Sequence, residues 1–173
     1  MHLDHYLILR CLKMERVNEI LNNRIYREKT DEINMLEKDR VFCRHDFNHF
    51  FDVARIALII CYEEQIEIDR GQIYAAALLH DIGRGAQYKE GIPHEIKSAE
   101  IAGPILDNCG YTKEETEIII EAIREHGNEE VKTRRDLVGV LYRADKLSRR
   151  CFLCDAIEDC HKSSDKMNMR VYY

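Results

Sequence analysis

The sequence predicts an all-α fold, a helical bundle with a central pair of buried helices. The chain has 173 residues but only two prolines and eight glycines, so long stretches lack a helix breaker. Hydrophobic residues make up 45% of the chain, and they recur mainly at helical spacing. This length fits one domain with one core, and we therefore expect a single domain over residues 1–173.

The charge pattern argues against nucleic acids and membranes as partners. The chain carries 26 basic and 32 acidic residues, a net charge of −6, and it has no long lysine or arginine block for a phosphate backbone. Charges interrupt the first twenty positions, which argues against a signal peptide, and no uncharged run approaches the length of a membrane span. We therefore expect a cytoplasmic protein that acts on a small molecule.

The first predicted helix runs from Met1 to about Asn22, and the charged stretch 23–40, which completes the predicted N-terminal helices, has a less clear helical pattern. The apolar face of this helix contains Leu7, Cys11, Met14, Val17 and Leu21. A second helix is predicted from Asp46 to Tyr62, where two apolar stripes run side by side. One stripe contains Phe47, Phe50, Ala54, Ala57 and Cys61, and the other contains Val53, Ile56 and Ile60. Such a helix should be central and mostly buried.

The partner of this central helix is predicted from Ile73 to Leu79, with Asp69 as a good N-cap residue. Its three consecutive alanines allow neighbouring helices to approach closely. The helix should stop at residues 80–83, His-Asp-Ile-Gly, and a glycine-containing loop should follow through Arg84, Gly85 and Gly91.

A further helix should begin near His94, directly after Pro93, with Pro104 expected to kink it. Its predicted inward residues are Ile96, Ala99, Ala102, Ile105 and Leu106.

Two more helices complete the predicted bundle. Thr112 and Glu115 form a capping box for the first of them, which should end at Gly127. Its predicted buried face contains Ile119, Ala122, Ile123 and His126. The last helix should run from about Thr133 to Arg150 and turn inward Leu137, Val138, Leu141, Ala144 and Asp145.

Several of these buried faces contain one ionisable side chain of a metal-ligand type, as His49, His126 and Asp145 illustrate. An unpaired carboxylate is rarely held in a core, and imidazole with carboxylate suits borderline divalent metals. Convergence on a metal ion would therefore explain their burial. Each residue alone has a simpler interpretation: His126 as a hydrogen-bonded core histidine, and Asp145 as an ion-pair partner of Arg124 or Arg143.

The order of these residues resembles the HD-domain superfamily of metal-dependent phosphohydrolases, in its HDIG type. The matching strings are HFFDVAR at 49–55, LLHDIGR at 78–84 and ADKL at 144–147. The resemblance extends from about Cys43 to Arg150, which leaves residues 1–40 and 151–173 as extensions. It implies that the core metal ligands are His49, His80, Asp81 and Asp145.

Two further histidines, His94 and His126, lie where dinuclear members of that family place the ligands of a second metal. The resemblance therefore implies the six-ligand version, in which Asp81 would bridge two metal ions. The expected cofactors are one or two divalent transition metal ions per chain, with iron and manganese favoured over cobalt, nickel and zinc. His45 is a neighbouring candidate for the first ligand position, but the downstream string sets the register on His49. The alternative for His94 is a solvated residue at a helix start.

The implied activity is hydrolysis of a phosphate ester or anhydride in a small metabolite, such as a nucleotide or a nucleotide-derived signal, by a metal-activated hydroxide. Asp81, Arg84 and Lys146 are the predicted catalytic residues, and the last two are also the predicted phosphate-binding residues. Arg84 and Lys146 can equally well be interpreted as ordinary surface charges. The general acid is left open between Glu125 and Asp52.

Two other functions are compatible with the same motif. Some dinuclear-iron members of the family are oxygenases, which cleave carbon bonds with dioxygen. A third class would retain the metal in a regulatory or ligand-binding module and use the charged N-terminal helices for a partner or a second copy, giving a homo-oligomer.

A second, weaker cluster follows the last helix. The chain has seven cysteines, an odd number that favours free thiols or metal ligands over a disulfide framework. Cys151, Cys154 and Cys160, which precedes His161, have a spacing that could supply a structural zinc, with Cys43 as a fourth ligand. The spacing of Cys151 and Cys154 favours instead two apolar cysteines on one helix face.

Overall fold

The structure, a computed structural model, describes residues 14–173, and these contain α-helices without any β-strand. Residues 14–22 are helical (α1). The α-helices that follow are α2 (Arg24–Leu36), α3 (Phe47–Glu63), α4 (Arg70–Leu79), α5 (Arg84–Glu90), α6 (His94–Asn108), α7 (Lys113–Glu125) and α8 (Leu137–Leu147). The all-α prediction is confirmed, whereas the predicted apolar positions Leu7 and Cys11 lie outside the described residues.

Helices α3 and α4 form the predicted central pair. Helix α3 packs against α4 and α8, and α4 also contacts α6 and α7. Asp69 is the predicted N-cap of α4, and its side chain accepts a hydrogen bond from the Gly71 N–H. Asp46, predicted as the first residue of its helix, is the N-cap of α3, and its side chain accepts from the His49 N–H. Phe47 departs from the predicted inward stripe, since it is 47% exposed at the open end of α3.

The loop predicted through Arg84, Gly85 and Gly91 is wrong, because residues Arg84–Glu90 form helix α5. This helix packs between α2 and α6, and that packing is not visible in the local sequence. Gly91, with a φ of 72°, ends the helix in the left-handed conformation that favours glycine. The two glycines that suggested a loop thus lie near the start of a helix and directly after its end.

Helices α6 and α7 begin where the sequence predicts. Helix α6 starts at His94 and continues through Pro104 to Asn108. Its inward face is as predicted except at Ile96, which is 50% exposed because two residues along a helix separate it from the buried His94 by about half a turn. The Thr112 and Glu115 capping box of α7 is present in both directions.

Helix α8 is shorter than predicted. The stretch Glu129–Thr133 forms a separate 3-10 helix, and α8 begins after Asp136, whose side chain accepts a hydrogen bond from the Gly139 N–H at 3.1 Å. The helix ends at Leu147 and not at Arg150, and its predicted inward residues are all buried. Within residues 14–173 the helices are too short or too polar to span a bilayer.

Candidate metal centre

Six side chains from separate parts of the bundle meet at one point. They are His49 on α3, His80 and Asp81 directly after α4, His94 at the start of α6, His126 directly after α7 and Asp145 on α8. Their possible ligand atoms form two groups, and within each group the atoms lie within 4.8 Å of one another. The structure therefore brings together all six residues that the sequence singled out.

Asp81 belongs to both groups. Its Oδ2 atom lies 3.5 Å from His49 Nε2 and 3.2 Å from His80 Nε2. Its Oδ1 atom lies 3.1 Å from His94 Nε2 and 3.7 Å from His126 Nε2. Asp145 joins the first group, with its Oδ1 atom 3.5 Å from His49 Nε2. One buried carboxylate thus has a histidine pair on each of its two oxygens.

Backbone carbonyls orient two of the histidines. The His80 Nδ1–H donates to the Ala77 carbonyl at 2.8 Å, and the His126 Nδ1–H donates to the Ile123 carbonyl at 2.6 Å. In each case the acceptor lies one helical turn back, so the end of the helix itself fixes the ring. The Nε2 atoms are therefore left to face the centre, the arrangement of a metal-binding histidine.

Ser148 orients His49 in the same way, and the sequence analysis did not identify it. The Ser148 hydroxyl donates to the Asp145 carbonyl at 2.7 Å, so it can accept from His49 Nδ1 at 3.3 Å. His94 differs, since its Nδ1 atom lies 3.3 Å from Glu95 Oε2 without a hydrogen bond. The signal for Ser148 was its position three residues after Asp145, one helical turn away.

The residues fit a divalent cation. Asp81 Oδ2 is buried and accepts no hydrogen bond within residues 14–173. The Nε2 atoms of His49 and His80 approach to 3.2 Å, and those of His94 and His126 to 3.1 Å. Such contacts between imidazole nitrogens are favourable only with a proton or a cation between them. The mixed nitrogen and oxygen donors suit borderline divalent metals, of which one or two could bind.

The ionisation of the two carboxylates favours cation binding at neutral pH. Burial raises the pKa of Asp81, but Arg84 and His80 outweigh it and hold that pKa well below its usual range. Lys146 and His80 do the same for Asp145. Burial lowers the pKa of His80, yet the two carboxylates raise it to about 10. A metal ion at His80 Nε2 therefore competes with a proton.

The two cations that were predicted to contact phosphate are paired with these carboxylates. Arg84 Nε donates to Asp81 Oδ1 at 2.9 Å, and Lys146 Nζ donates to Asp145 Oδ2 at 2.5 Å and to the His126 carbonyl at 3.0 Å. Both side chains also line the cavity next to the ligands. They position the ligand carboxylates, while their contact with phosphate stays a prediction.

The ion-pair partners of Asp145 differ from Arg124 and Arg143, the two that its sequence suggested. Lys146 and, at 4.0 Å, Arg149 lie beside it, whereas Arg143 pairs with Glu64 at 3.0 Å. Asp145 therefore faces the centre with two adjacent cations behind it.

A cavity of about 530 Å³ adjoins the ligand groups. The basic side chains that line it are Arg40, Arg44, Arg84, Lys146, Arg149, Arg150 and Lys162. The acidic side chains that line it are Asp46, Asp52, Glu95 and Asp145. Basic groups outnumber acidic ones even though the whole chain is acidic, and the cavity is therefore suited to an anionic ligand.

Of the two residues considered as general acids, only Asp52 lines this cavity, where it pairs with Arg150. Glu125 accepts a hydrogen bond from Asn128 Nδ2 at 2.9 Å and does not line the cavity. Glu95 does line it, and the sequence analysis overlooked this residue beside His94.

A buried carboxylate behind the centre was also missed. Glu37 is 3% exposed and accepts hydrogen bonds from the His45 backbone N–H at 2.7 Å, from His45 Nδ1 at 2.5 Å and from the Tyr88 hydroxyl. His45 Nε2 lies 3.7 Å from Asp81 Oδ2, but His45 belongs to neither ligand group. The structure thus places His49, not His45, among the ligand atoms. No local pattern could reveal Glu37, whose partner Tyr88 is 51 positions away.

The three cysteines considered for zinc also line the cavity, together with Cys43. Cys151 and Cys154 do not lie on one helix face as predicted, because Cys151–Leu153 forms a 3-10 helix that ends before Cys154. Among residues 14–173 the tight groups of possible ligand atoms contain no cysteine.

A helical bundle that gathers histidines and aspartates from successive helix ends defines a metal-binding helical domain. This chain belongs to the HD-domain family, whose family model, described as HD domain, matches residues 46–150. The resemblance found in the sequence is thereby confirmed.

Three comparisons extend this result. An uncharacterized protein of Clostridium beijerinckii is 44% identical over 160 residues, which cover 92% of this chain and all of that protein. A bifunctional uridylyltransferase/uridylyl-removing enzyme of Azospirillum brasilense is 32% identical over 90 residues, which cover 46% of this chain but 9% of the enzyme. The crystal structure of a predicted HD superfamily hydrolase from an uncultured Thermotogales bacterium matches with a TM-score of 0.57 and 32% identity, covering 75% of this chain and 66% of that one, slightly under two thirds. The chain thus has an HD superfamily hydrolase fold with a candidate metal-binding cluster.

Proposed function

We propose that this protein is a metal-dependent phosphohydrolase, which cleaves a phosphate ester or anhydride of a small metabolite. Nucleotides and nucleotide-derived signals are the proposed substrate class. The observation that carries the proposal is the sharing of Asp81 between two groups of ligand atoms. Such an arrangement would hold two neighbouring cations beside a cavity lined with basic side chains.

The residues of the chain have distinct parts in this proposal. His49, His80, Asp81 and Asp145 would hold one cation, and Asp81, His94 and His126 would hold a second. Bound divalent ions supply Lewis acidity toward phosphoryl oxygens and lower the pKa of coordinated water. Arg84 keeps Asp81 ionised and oriented through its 2.9 Å hydrogen bond. The remaining basic side chains of the cavity would bind the phosphate groups of the substrate.

The names of two similar proteins agree with hydrolysis. The Thermotogales protein is described as a predicted hydrolase, and the Azospirillum enzyme is named for removal of a uridylyl group. Removal of a uridylyl group breaks a bond to phosphorus, the kind of bond that we propose for this chain.

The test is a panel of phosphate monoesters, diesters and nucleotides with manganese, iron, cobalt or nickel. We expect phosphate or nucleotide release by the wild-type protein and background rates in Asp81→Ala, because that change removes a ligand from both groups. Asp107→Ala, an exposed position on α6, is the matched control and should keep wild-type rates.

Three outcomes would contradict the proposal. Wild-type rates in Asp81→Ala would show that the site takes no part in the reaction. Oxygen consumption with iron, without phosphate release, would indicate an oxygenase. A folded protein that is inactive with every metal and substrate would indicate a regulatory module.

A further inference from the structure

Four cysteines from two distant segments line the same cavity as the His and Asp cluster. Cys43 lies before α3, and Cys151, Cys154 and Cys160 follow α8. Partial burial and the neighbouring thiols of Cys151 and Cys154 raise the pKa of the Cys43 thiol. Their sequence neighbours also touch: the rings of Phe42 and His161 meet edge to face, with centroids 6.3 Å apart.

The segment that carries three of these cysteines has little to stabilise its shape. Among residues 154–167 no side chain is fully buried. Regular structure in 151–167 is limited to the 3-10 helices Cys151–Leu153 and Ser164–Lys166. Irregular segments of this length are uncommon in compact domains, and those that occur are usually functional or disordered.

Both ends of the segment are nevertheless anchored at the end of α8. Asn168 Nδ2 lies 2.8 Å from the Lys146 carbonyl oxygen and 3.0 Å from the Arg149 carbonyl oxygen. The Phe152 N–H donates to the Asn168 carbonyl at 3.0 Å. The segment is therefore a closed loop, and it returns Cys154 and Cys160 to the cavity wall.

We propose that Cys43, Cys151, Cys154 and Cys160 bind one structural zinc ion, separate from the His and Asp centre. Four thiolates form a closed tetrahedral site of the structural kind. The Cys154 N–H donates to the Cys151 carbonyl at 3.1 Å, a tight turn that keeps these two residues adjacent. Because no three of the sulfur atoms lie within 4.8 Å of one another, zinc binding requires the loop to close further.

The surrounding charge suits a four-thiolate site, whose net charge with zinc is negative. Arg149 and Lys162 lower the pKa of Cys43, in opposition to its burial, and thus supply nearby positive charge. The same ion would join the segment before α3 to the loop after α8. It would therefore hold Arg149, Arg150 and Lys162 in place along the cavity wall.

The test is cobalt substitution of the full-length protein, followed by absorption spectroscopy. We expect a thiolate-to-cobalt charge-transfer band, which histidine and aspartate ligands cannot produce. The band should disappear in Cys154→Ala and Cys160→Ala. It should persist in Cys61→Ala, a buried cysteine of α3 that does not line the cavity, and in Asp81→Ala, which disables the other centre.

Absence of the band in the cobalt-substituted wild-type protein would overturn the proposal. Should the cysteine variants not fold, X-ray absorption of the zinc-loaded wild-type protein decides the matter. Zinc–sulfur scattering at about 2.3 Å supports the site, and nitrogen or oxygen scattering alone overturns it. A protein with the band but without phosphohydrolase activity would retain this site and contradict only the function proposed above.

Discussion

At the scale of single residues, the atoms behind the ligands are as specific as the ligands. His49, His80 and His126 each have an oxygen partner at Nδ1, and that partner fixes which nitrogen faces the centre. Two of these partners are backbone carbonyls, which no substitution removes. Ser148 is the side chain among them and can therefore be tested.

We expect Ser148→Ala to weaken binding of Mn2+ by about 10-fold, because His49 loses the acceptor that orients its ring. The measurement is a calorimetric titration of the metal-free protein. Ser164→Ala, at an exposed position in the loop after α8, is the control and should bind as the wild type does. Equal dissociation constants for both variants would show that Ser148 does not orient the ligand.

Glu37 predicts a pH dependence of stability. Burial raises its pKa, but the hydrogen bonds from His45 and Tyr88 lower it to about 2 from a usual value of 4.5. A carboxyl group whose pKa is lower in the folded chain than in the unfolded chain stabilises the fold above pH 4.5. This stabilisation is lost as the pH falls toward 2. At pH 7 the contribution is at most about 3 kcal/mol.

The free energy of unfolding of the wild type should therefore exceed that of Glu37→Gln by more at pH 7 than at pH 3. Denaturant unfolding at both pH values measures the difference. Glu28→Gln, an exposed position on α2, should show no such change. If the difference in the free energy of unfolding between wild type and Glu37→Gln were the same at both pH values, Glu37 would not have the lowered pKa assigned to it.

At the scale of elements, helix ends build the site. His80 and His126 directly follow α4 and α7, and His94 begins α6. Their positions therefore depend on how closely the ends of the helices approach. Gly83 lies where the residues after α4 contact α6, since its N–H donates to the Ser98 hydroxyl at 2.9 Å.

We expect Gly83→Ala to destabilise the protein by about 2 kcal/mol, through crowding and not through backbone strain. A methyl group there would lie 2.5 Å from Ser98 N and 2.6 Å from the His94 carbonyl oxygen, both of which are backbone atoms. The same displacement should weaken metal binding at His94. Denaturant unfolding and metal titration measure the two effects.

Gly103→Ala is the matched control. Gly103 lies within α6, the helix that Gly83 contacts, but the nearest contact of an added methyl group would be Ile120 Cδ1 at 3.7 Å, an ordinary distance. It should stabilise the protein by about 0.5 kcal/mol, since glycine is unfavourable inside a helix. Equal destabilisation by both variants would show that space at Gly83 is not the cause.

At the scale of the whole molecule, one centre connects α3, α4, α6, α7 and α8. A cation bound there stabilises the folded state selectively, because the ligands meet only when the helices have packed. Mn2+ at 100 times its dissociation constant should raise the free energy of unfolding by about 2.7 kcal/mol. Thiolates are poor ligands for manganese, so the cysteine loop should not contribute.

Thermal unfolding with increasing Mn2+, followed by addition of a chelator, measures this gain and its reversal. Asp81→Ala should show almost no gain, whatever its own stability, because it loses a ligand of both groups. An equal gain in that variant would mean that manganese stabilises the protein elsewhere.

The sequence by itself determined the all-α fold, the bounds of α3 and α7 and the start of α6 to within about a residue, and the six residues that meet at the centre. Helical periodicity and caps are local properties, so Asp69 and the Thr112 capping box could be identified from their neighbours. The ligand set followed from buried ionisable residues in a family order. Restriction of the chain to a single domain stays a prediction.

Only the tertiary structure decided the features that depend on distant contacts. Helix α5 forms between α2 and α6 although its sequence suggested a loop, and Ile96 is exposed although its spacing suggested the core. The pairing of Glu37 with Tyr88 joins residues 51 positions apart. The convergence of Cys43 with the cysteines after α8 likewise arises from folding, since burial and proximity depend on the packed chain and not on local spacing.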